Sequence, residues 1–180
     1  MKQDTSKVMP NLFVVGMPRC GTTSLYHYFK KHPEIFVSDE KEPNYFAKEL
    51  GYKPYIKSKY KNYSEMTSER YKKLFIEAQK YKYAADMSQA YIFSKYAAKR
   101  IHEHNPNAKI IILFREPVKF LKSLHGKFLH SIENEKDFLK ALVYEDSKEH
   151  NKPPHPFLNY SKWINYKEHL KKYLEHFPKD

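Results

Sequence analysis

Apolar positions in this chain fall into short unbroken runs separated by amphipathic stretches. Leu12, Phe13, Val14 and Val15 are continuous and apolar, the pattern of a strand buried on both faces. Residues 34–38 and 83–87 form two further short runs. Residues 109–114, KIIILF, are the clearest strand in the chain, β-branched, apolar and short. Helical periodicity fills the intervals. The first helix opens at Thr22, Thr23 and Ser24 and stops at His32-Pro33. Thr67 or Ser68 caps a second, running to about Gln79 with Tyr71, Leu74, Phe75 and Ala78 on one face. Ser88 caps a third, through Tyr91, Ile92, Tyr96, Ala97 and Ile101 to Asn105-Pro106. Pro117 starts a fourth, to about Ile132, because proline is tolerated in a first helical turn. Residues 137–144 and 161–176 are also helical. The latter carries Trp163, Tyr166, Leu170, Tyr173, Leu174 and Phe177 as its apolar positions. Residues 47–63 have no clean period and read as a surface excursion; residues 150–156, with three prolines, read as a loop.

Strands alternating with crossover helices argue a parallel sheet with helices on both faces. A length of 180 residues suits a single domain, 1–180, with a sizeable core. The net charge of +12 points to anionic partners without choosing among nucleotide, acidic glycan, nucleic acid and anionic membrane. One cysteine, Cys20, rules out an internal disulfide within the chain. No apolar stretch reaches membrane-spanning length, and residues 1–10 lack the apolar core of a signal peptide, so the expected location is cytoplasmic.

The chemistry concentrates where the first strand meets the first helix. Gly16, Pro18 and Gly21 break the chain tightly, and Thr22, Thr23 and Ser24 follow. A strand, a glycine-bearing turn and a hydroxyl-rich helix start point backbone N–H groups and a helix N-terminus at one spot, which attracts phosphate. A nucleotide-binding P-loop ends Gly-Lys-Ser/Thr; here the ending is Gly21-Thr22-Thr23, and the cation is Arg19 inside the loop. A guanidinium with hydroxyls, in place of lysine with magnesium, suits an anion with fewer phosphates. A second anion cradle follows the most apolar strand, where Arg115 and Ser123, eight residues apart, can converge on one phosphate.

Gly-Met-Pro-Arg-Cys-Gly-Thr-Thr-Ser-Leu-Tyr, residues 16–26, resembles the 5′-phosphosulfate loop of sulfotransferases that use 3′-phosphoadenosine 5′-phosphosulfate (PAPS). Arg115 with Ser123 resembles that family's site for the donor's 3′-phosphate, with Phe120 where a second arginine is common. Lys41-Glu42-Pro43-Asn44-Tyr45-Phe46 is similar to the acceptor-side motif of bacterial and heparan-type members, Asn44 standing where some carry histidine. Asp86-Met87-Ser88-Gln89-Ala90-Tyr91 resembles a segment lining the acceptor cleft.

The resemblance implies a three-layer α/β/α fold, a central parallel sheet with P-loop NTPase-like topology, lacking the C-terminal part of the usual domain. It implies PAPS as donor and adenosine 3′,5′-bisphosphate (PAP) as product. It places the donor on Arg19, Cys20, Gly21, Thr22, Thr23, Ser24, Arg115 and Ser123. The acceptor, a glycan or other hydroxylated small molecule, falls to Lys41, Asn44, Asp86 and Ser88. Glu42 becomes the base, and Arg19 stabilises the departing oxygen. No metal is implied, and the ten histidines show no ligand spacing beside a glutamate. The Tyr/Lys interleaving of residues 52–83 has no accompanying RNA-binding module pattern, so nucleic acid is not the expected partner. Two other readings stand beside this one: a small-molecule kinase with a degenerate P-loop, and a truncated, non-catalytic module binding polyanion or nucleotide.

Overall fold

The computed structural model describes residues 9–50, 66–144 and 158–177. Most of the excursion over 47–63 and all of the loop over 150–156 therefore lie outside the described residues. Four strands, β1 (Leu12–Val14), β2 (Ile35–Val37), β3 (Tyr83–Asp86) and β4 (Lys109–Ile111), pair in parallel in the order β2-β3-β1-β4. Phe13 of β1 lies opposite Asp86 on one side and Ile110 on the other; Phe36 lies opposite Ala84. The backbone ladder outlasts the regular strands: Val15 N–H bonds to Ile111 O, Met17 N–H to Leu113 O and Leu113 N–H to Gly16 O. The apolar runs in the sequence follow this longer ladder.

Because side chains alternate along a strand, β1 is buried on both faces. Leu12 and Val14 join Tyr26 of α1 (Thr22–Lys31), with Val37 and Ala85. Phe13 and Val15 join the larger core on the opposite face. That core takes Tyr71 of α2 (Ser68–Lys73), Ile101 of α3 (Ala97–His104) and Phe120, Leu124 and Phe128 of α4 (Pro117–Phe128). Ala141 of α5 (Phe138–Tyr144), Trp163 of α6 (Tyr160–Trp163) and Tyr173 of α7 (Tyr166–Leu174) complete it. The result is three layers: α1, the parallel sheet, and the remaining helices. Neighbouring strands β1 and β3 send their chains to opposite faces, α1 on one and α3 on the other. Such a divergence opens a crevice at the carboxyl ends of the strands, where ligands of open α/β sheets sit.

Besides the fourth, which ends at Phe128 and not near Ile132, three helices are shorter than their periodicity predicts, each with a local cause. The second stops at Lys73 and tightens into a 3₁₀ turn, Ile76–Lys80, after Leu74 and Phe75 bond back only three residues. The third does not start at Ser88, whose hydroxyl is engaged elsewhere. A 3₁₀ turn, Gln89–Ile92, comes first, and α3 begins only where Ser94 Oγ accepts from Tyr96 and Ala97 N–H. The last breaks at Asn165, whose side chain accepts from Glu168 N–H and caps α7. Its apolar face splits accordingly: Trp163 and Tyr173 are buried, whereas Leu170 and Leu174 are more than a third exposed. Thr67 caps α2 and Glu116 caps α4, the latter accepting from Val118 and Lys119 N–H.

Gly16, where β1 gives way to its loop, lies against Ile92, and a Cβ added there would meet Ile92 Cβ at 2.8 Å. Overpacking of this kind costs roughly 1–3 kcal/mol. Gly16→Ala is therefore expected to lower stability by that amount in urea unfolding; an unchanged midpoint would show that the approach is not tight.

Candidate active site

The turn after β1 is shaped by two residues in the left-handed region, Arg19 (φ 62°) and Gly21 (φ 89°). Gly21 takes this conformation without a Cβ penalty and serves as the α1 N-cap, its carbonyl accepting from Leu25 N–H. No side chain caps α1. The N–H groups at Thr22, Thr23 and Ser24 and the positive end of the helix dipole thus face the turn as anion donors. Thr22 is buried, while Thr23 and Ser24 are exposed.

The loop after β4 meets this turn directly. Arg19 Nε donates to Ser123 Oγ at 3.1 Å, and Arg115 Nη1 donates to the Arg19 carbonyl at 3.3 Å. Residues about a hundred positions apart therefore form one basic cluster, because β1 and β4 are sheet neighbours. Tyr166 of α7 donates its hydroxyl to the Arg115 carbonyl (2.9 Å) and packs its ring on Phe114. Cys20 is half-buried; burial pushes its thiol up to about 11 against the opposing pull of Arg115, so it is a neutral thiol at neutral pH. Phe120 is fully buried against Trp163 and Tyr166 as a core residue.

On the β2–β3 side, the loop after β2 holds two more left-handed residues, Glu42 (φ 54°) and Asn44 (φ 52°). Non-glycine residues in this region cost of order 1–3 kcal/mol each and persist only where their surroundings impose them. The imposing group is Asp86, at the end of β3 and only 1% exposed. It accepts hydroxyl hydrogen bonds from Tyr71 (2.6 Å), Tyr91 (2.7 Å) and Ser88 (2.5 Å). Ser88 Oγ in turn accepts from Asn44 N–H, and Tyr91 Oη from Phe46 N–H. Asn44 Nδ2 closes the loop on the Glu42 carbonyl at 2.7 Å. Asn44, Asp86 and Ser88 are thus buried and hydrogen-bonded within the support of the Glu42 loop. Lys41 is exposed, its Nζ 4.1 Å above the Tyr26 ring.

Glu42 sits above this support with Gln89 Nε2 donating to its Oε1 at 2.7 Å. Burial pushes the Glu42 carboxyl up to about 7, with Lys41 opposing and Asp86 adding to the rise. Burial also raises Asp86, against the hydroxyls of Ser88, Tyr71 and Tyr91 that favour its charge. Glu42 is thus a carboxylate that exchanges a proton near neutral pH, as a general base requires. The sequence placed Tyr71, Tyr91 and Tyr166 on apolar helix faces and Gln89 within a motif, but gave none of their hydrogen-bond partners. For the two buried tyrosines a signal existed: a phenol at a core position implies a partner for its hydroxyl.

Fold and site together define a three-layer α/β/α protein with a helix N-terminus and a basic cluster at the carboxyl ends of its parallel strands. The chain belongs to the sulfotransferase family, whose sequence model, "Sulfotransferase family", matches residues 10–152. It is similar to the membrane-associated sulfotransferase kil1 of Dictyostelium discoideum, 34% identical over 111 residues, covering 62% of this chain and 21% of that protein. It is also similar to human carbohydrate sulfotransferase 15, 38% identical over 42 residues, covering 23% of this chain and 8% of that protein. The chain thus spans about a fifth or less of these relatives' lengths. The crystal structure of a sulfotransferase from Alicyclobacillus acidocaldarius superposes with a TM-score of 0.74 at 26% identity, covering 94% of this chain and 69% of that one. Among the described residues no helix is long and apolar enough to cross a membrane, and no three His, Cys, Asp or Glu side chains gather as metal ligands.

Two expectations follow. A carboxyl raised from 4.5 to about 7 binds its proton more tightly in the folded chain. Stability therefore falls as pH rises from about 4.5 to about 7, and the full loss persists above that. Glu42→Gln removes this loss, which is on the order of 3 kcal/mol. In urea unfolding the variant is expected to be more stable than the parent at about pH 8 and to match it at about pH 4. Second, Asp86→Ala strips three buried hydroxyls of their acceptor. It is expected to cost roughly 3–5 kcal/mol. A loss under about 1 kcal/mol, the worth of one ordinary hydrogen bond, would deny Asp86 its central place.

Proposed function

We propose that this domain moves a sulfuryl group from PAPS to a hydroxyl or amine of a carbohydrate acceptor and releases PAP. The observation that carries the reading is the meeting of Arg19 with Ser123 and Arg115. It joins the α1 N-terminus to the Arg115–Ser123 pair, so one ligand with two separated anionic groups can engage both. Under this reading the 5′-phosphosulfate lies on residues 19–24, and the 3′-phosphate on Arg115 and Ser123. The buried Phe120 supplies no second arginine, leaving the exposed Lys119 and Lys122, in the first two turns of that helix, as substitute cations. Residues 1–180 act as one domain, in the cytoplasm where the nucleotide donor is made.

Glu42 takes the proton from the acceptor oxygen as that oxygen bonds to sulfur. The bond from sulfur to the bridging oxygen of the 5′-phosphate breaks, and Arg19 stabilises the charge left on that oxygen. The protein's contribution is mostly position and charge, as in phosphoryl transfer. The glycan acceptor is supported by the kinship with a protein named as a carbohydrate sulfotransferase.

The test is a thermal melt with PAP against one with ATP and magnesium. PAP at a hundredfold excess over its Kd should stabilise by about 2.7 kcal/mol, and ATP with magnesium far less. Arg115→Ala should abolish most of the PAP effect. With labelled donor and a panel of glycan acceptors, Glu42→Gln should keep the PAP effect and lose roughly 10²–10⁴ in turnover. Stabilisation by ATP–magnesium but not PAP would replace this reading with the kinase one.

A further inference from the structure

We propose that Gln89 is the positioning residue for Glu42, holding one carboxylate oxygen so that the other faces the acceptor; this rests on the reading of Glu42 as the base. Gln89 Nε2 donates to Glu42 Oε1 at 2.7 Å, a direct contact across 47 residues of sequence. With Oε1 occupied, Oε2 is left as the oxygen that receives the acceptor's proton. The amide is suited to the cycle, since it donates to Oε1 whether Oε2 is bare or protonated.

The platform that presents Gln89 is rigid. Gln89 opens the 3₁₀ turn Gln89–Ile92, whose Tyr91 and Ile92 side chains are fully buried. The turn's carbonyls are gripped from α7, Tyr173 Oη donating to Tyr91 O (3.0 Å) and Lys172 Nζ to Ile92 O (2.5 Å). Ser88, immediately before, holds the backbone of the Glu42 loop through Asn44 N–H. One short segment after β3 therefore fixes the base twice, at its backbone through Ser88 and at its side chain through Gln89. A neutral donor orients the carboxylate without the deep acidification that a cation at this distance would impose. The charged groups facing Glu42 are Lys41 in its own loop and Asp86 at the end of β3.

The test follows Glu42 by carboxyl-carbon NMR titration of the full chain, its signal assigned by its loss in Glu42→Gln. In Gln89→Met the Glu42 midpoint should rise by about one pH unit, because a hydrogen bond to the charged form is lost. Turnover at neutral pH should fall about tenfold through kcat, with the acid limb of the pH profile moving up by the same amount and the KM for donor unchanged. Gln89→Glu sets two carboxyls within reach of each other, and the pair should titrate with an upper midpoint above that of Gln89→Met. Parental midpoints in both variants, or parental turnover in Gln89→Met, would overturn the proposal. Parental turnover in Glu42→Gln, with the midpoint still shifting in Gln89→Met, would instead overturn the base on which it rests.

Discussion

A carboxylate with almost no exposed surface and three hydroxyl donors organises one half of this molecule. Asp86 ends β3, and its partners come from α2 (Tyr71) and from the turn that follows the strand (Ser88 and Tyr91). Unpaired, a charge at that depth would be prohibitive; paired, it makes each donor's position depend on the others. Ser88 and Tyr91 pass that constraint to the backbone of the β2–β3 loop at Asn44 and Phe46. The left-handed backbone of Glu42 and Asn44 is held by this lattice. Strain at Glu42 and rigidity beneath it are two aspects of the same network.

The other half depends on strand order. β1 lies between β3 and β4, so the loops at their carboxyl ends must be neighbours. Arg19 joins two of these loops through Ser123 and the Arg115 contact, and Tyr166 ties the β4 loop to α7. The concentration of cations and N–H donors at one end of the sheet is thus a consequence of topology. At the end of β2 and β3, burial raises the Glu42 carboxyl to about 7, so that it exchanges a proton near neutral pH.

Local patterns were legible in the residues themselves. The apolar run at Leu12–Val15, the Gly16–Gly21 turn and the start at Thr22 are set by side-chain periodicity and glycine placement, and the α/β/α order follows from them. The caps at Thr67 and the proline at 117 were legible for the same reason, since a cap is a contact within four residues. Arg19 and Arg115 could be named because each follows a strand, where such a sheet exposes its chemistry, and Glu42 and Ser123 because their motifs resemble those of a known family.

What only the tertiary structure decided are contacts between residues far apart in the chain. Ser88 looked like a helix cap, yet its hydroxyl serves Asp86 and Asn44, leaving Ser94 to cap α3. Gln89 carried no local signal, because an amide's partner is chosen by what the fold sets beside it. Phe120 stood where a second arginine is common, and packing against Trp163 and Tyr166 made it core. Glu42 is an ordinary acidic residue by sequence; its proton affinity comes from burial, and burial belongs to the packed chain and to no single residue. The sequence by itself determined which elements form and where their chemical groups can emerge, since those follow from neighbours along the chain. Packing decided which of those groups meet, and in what charge state.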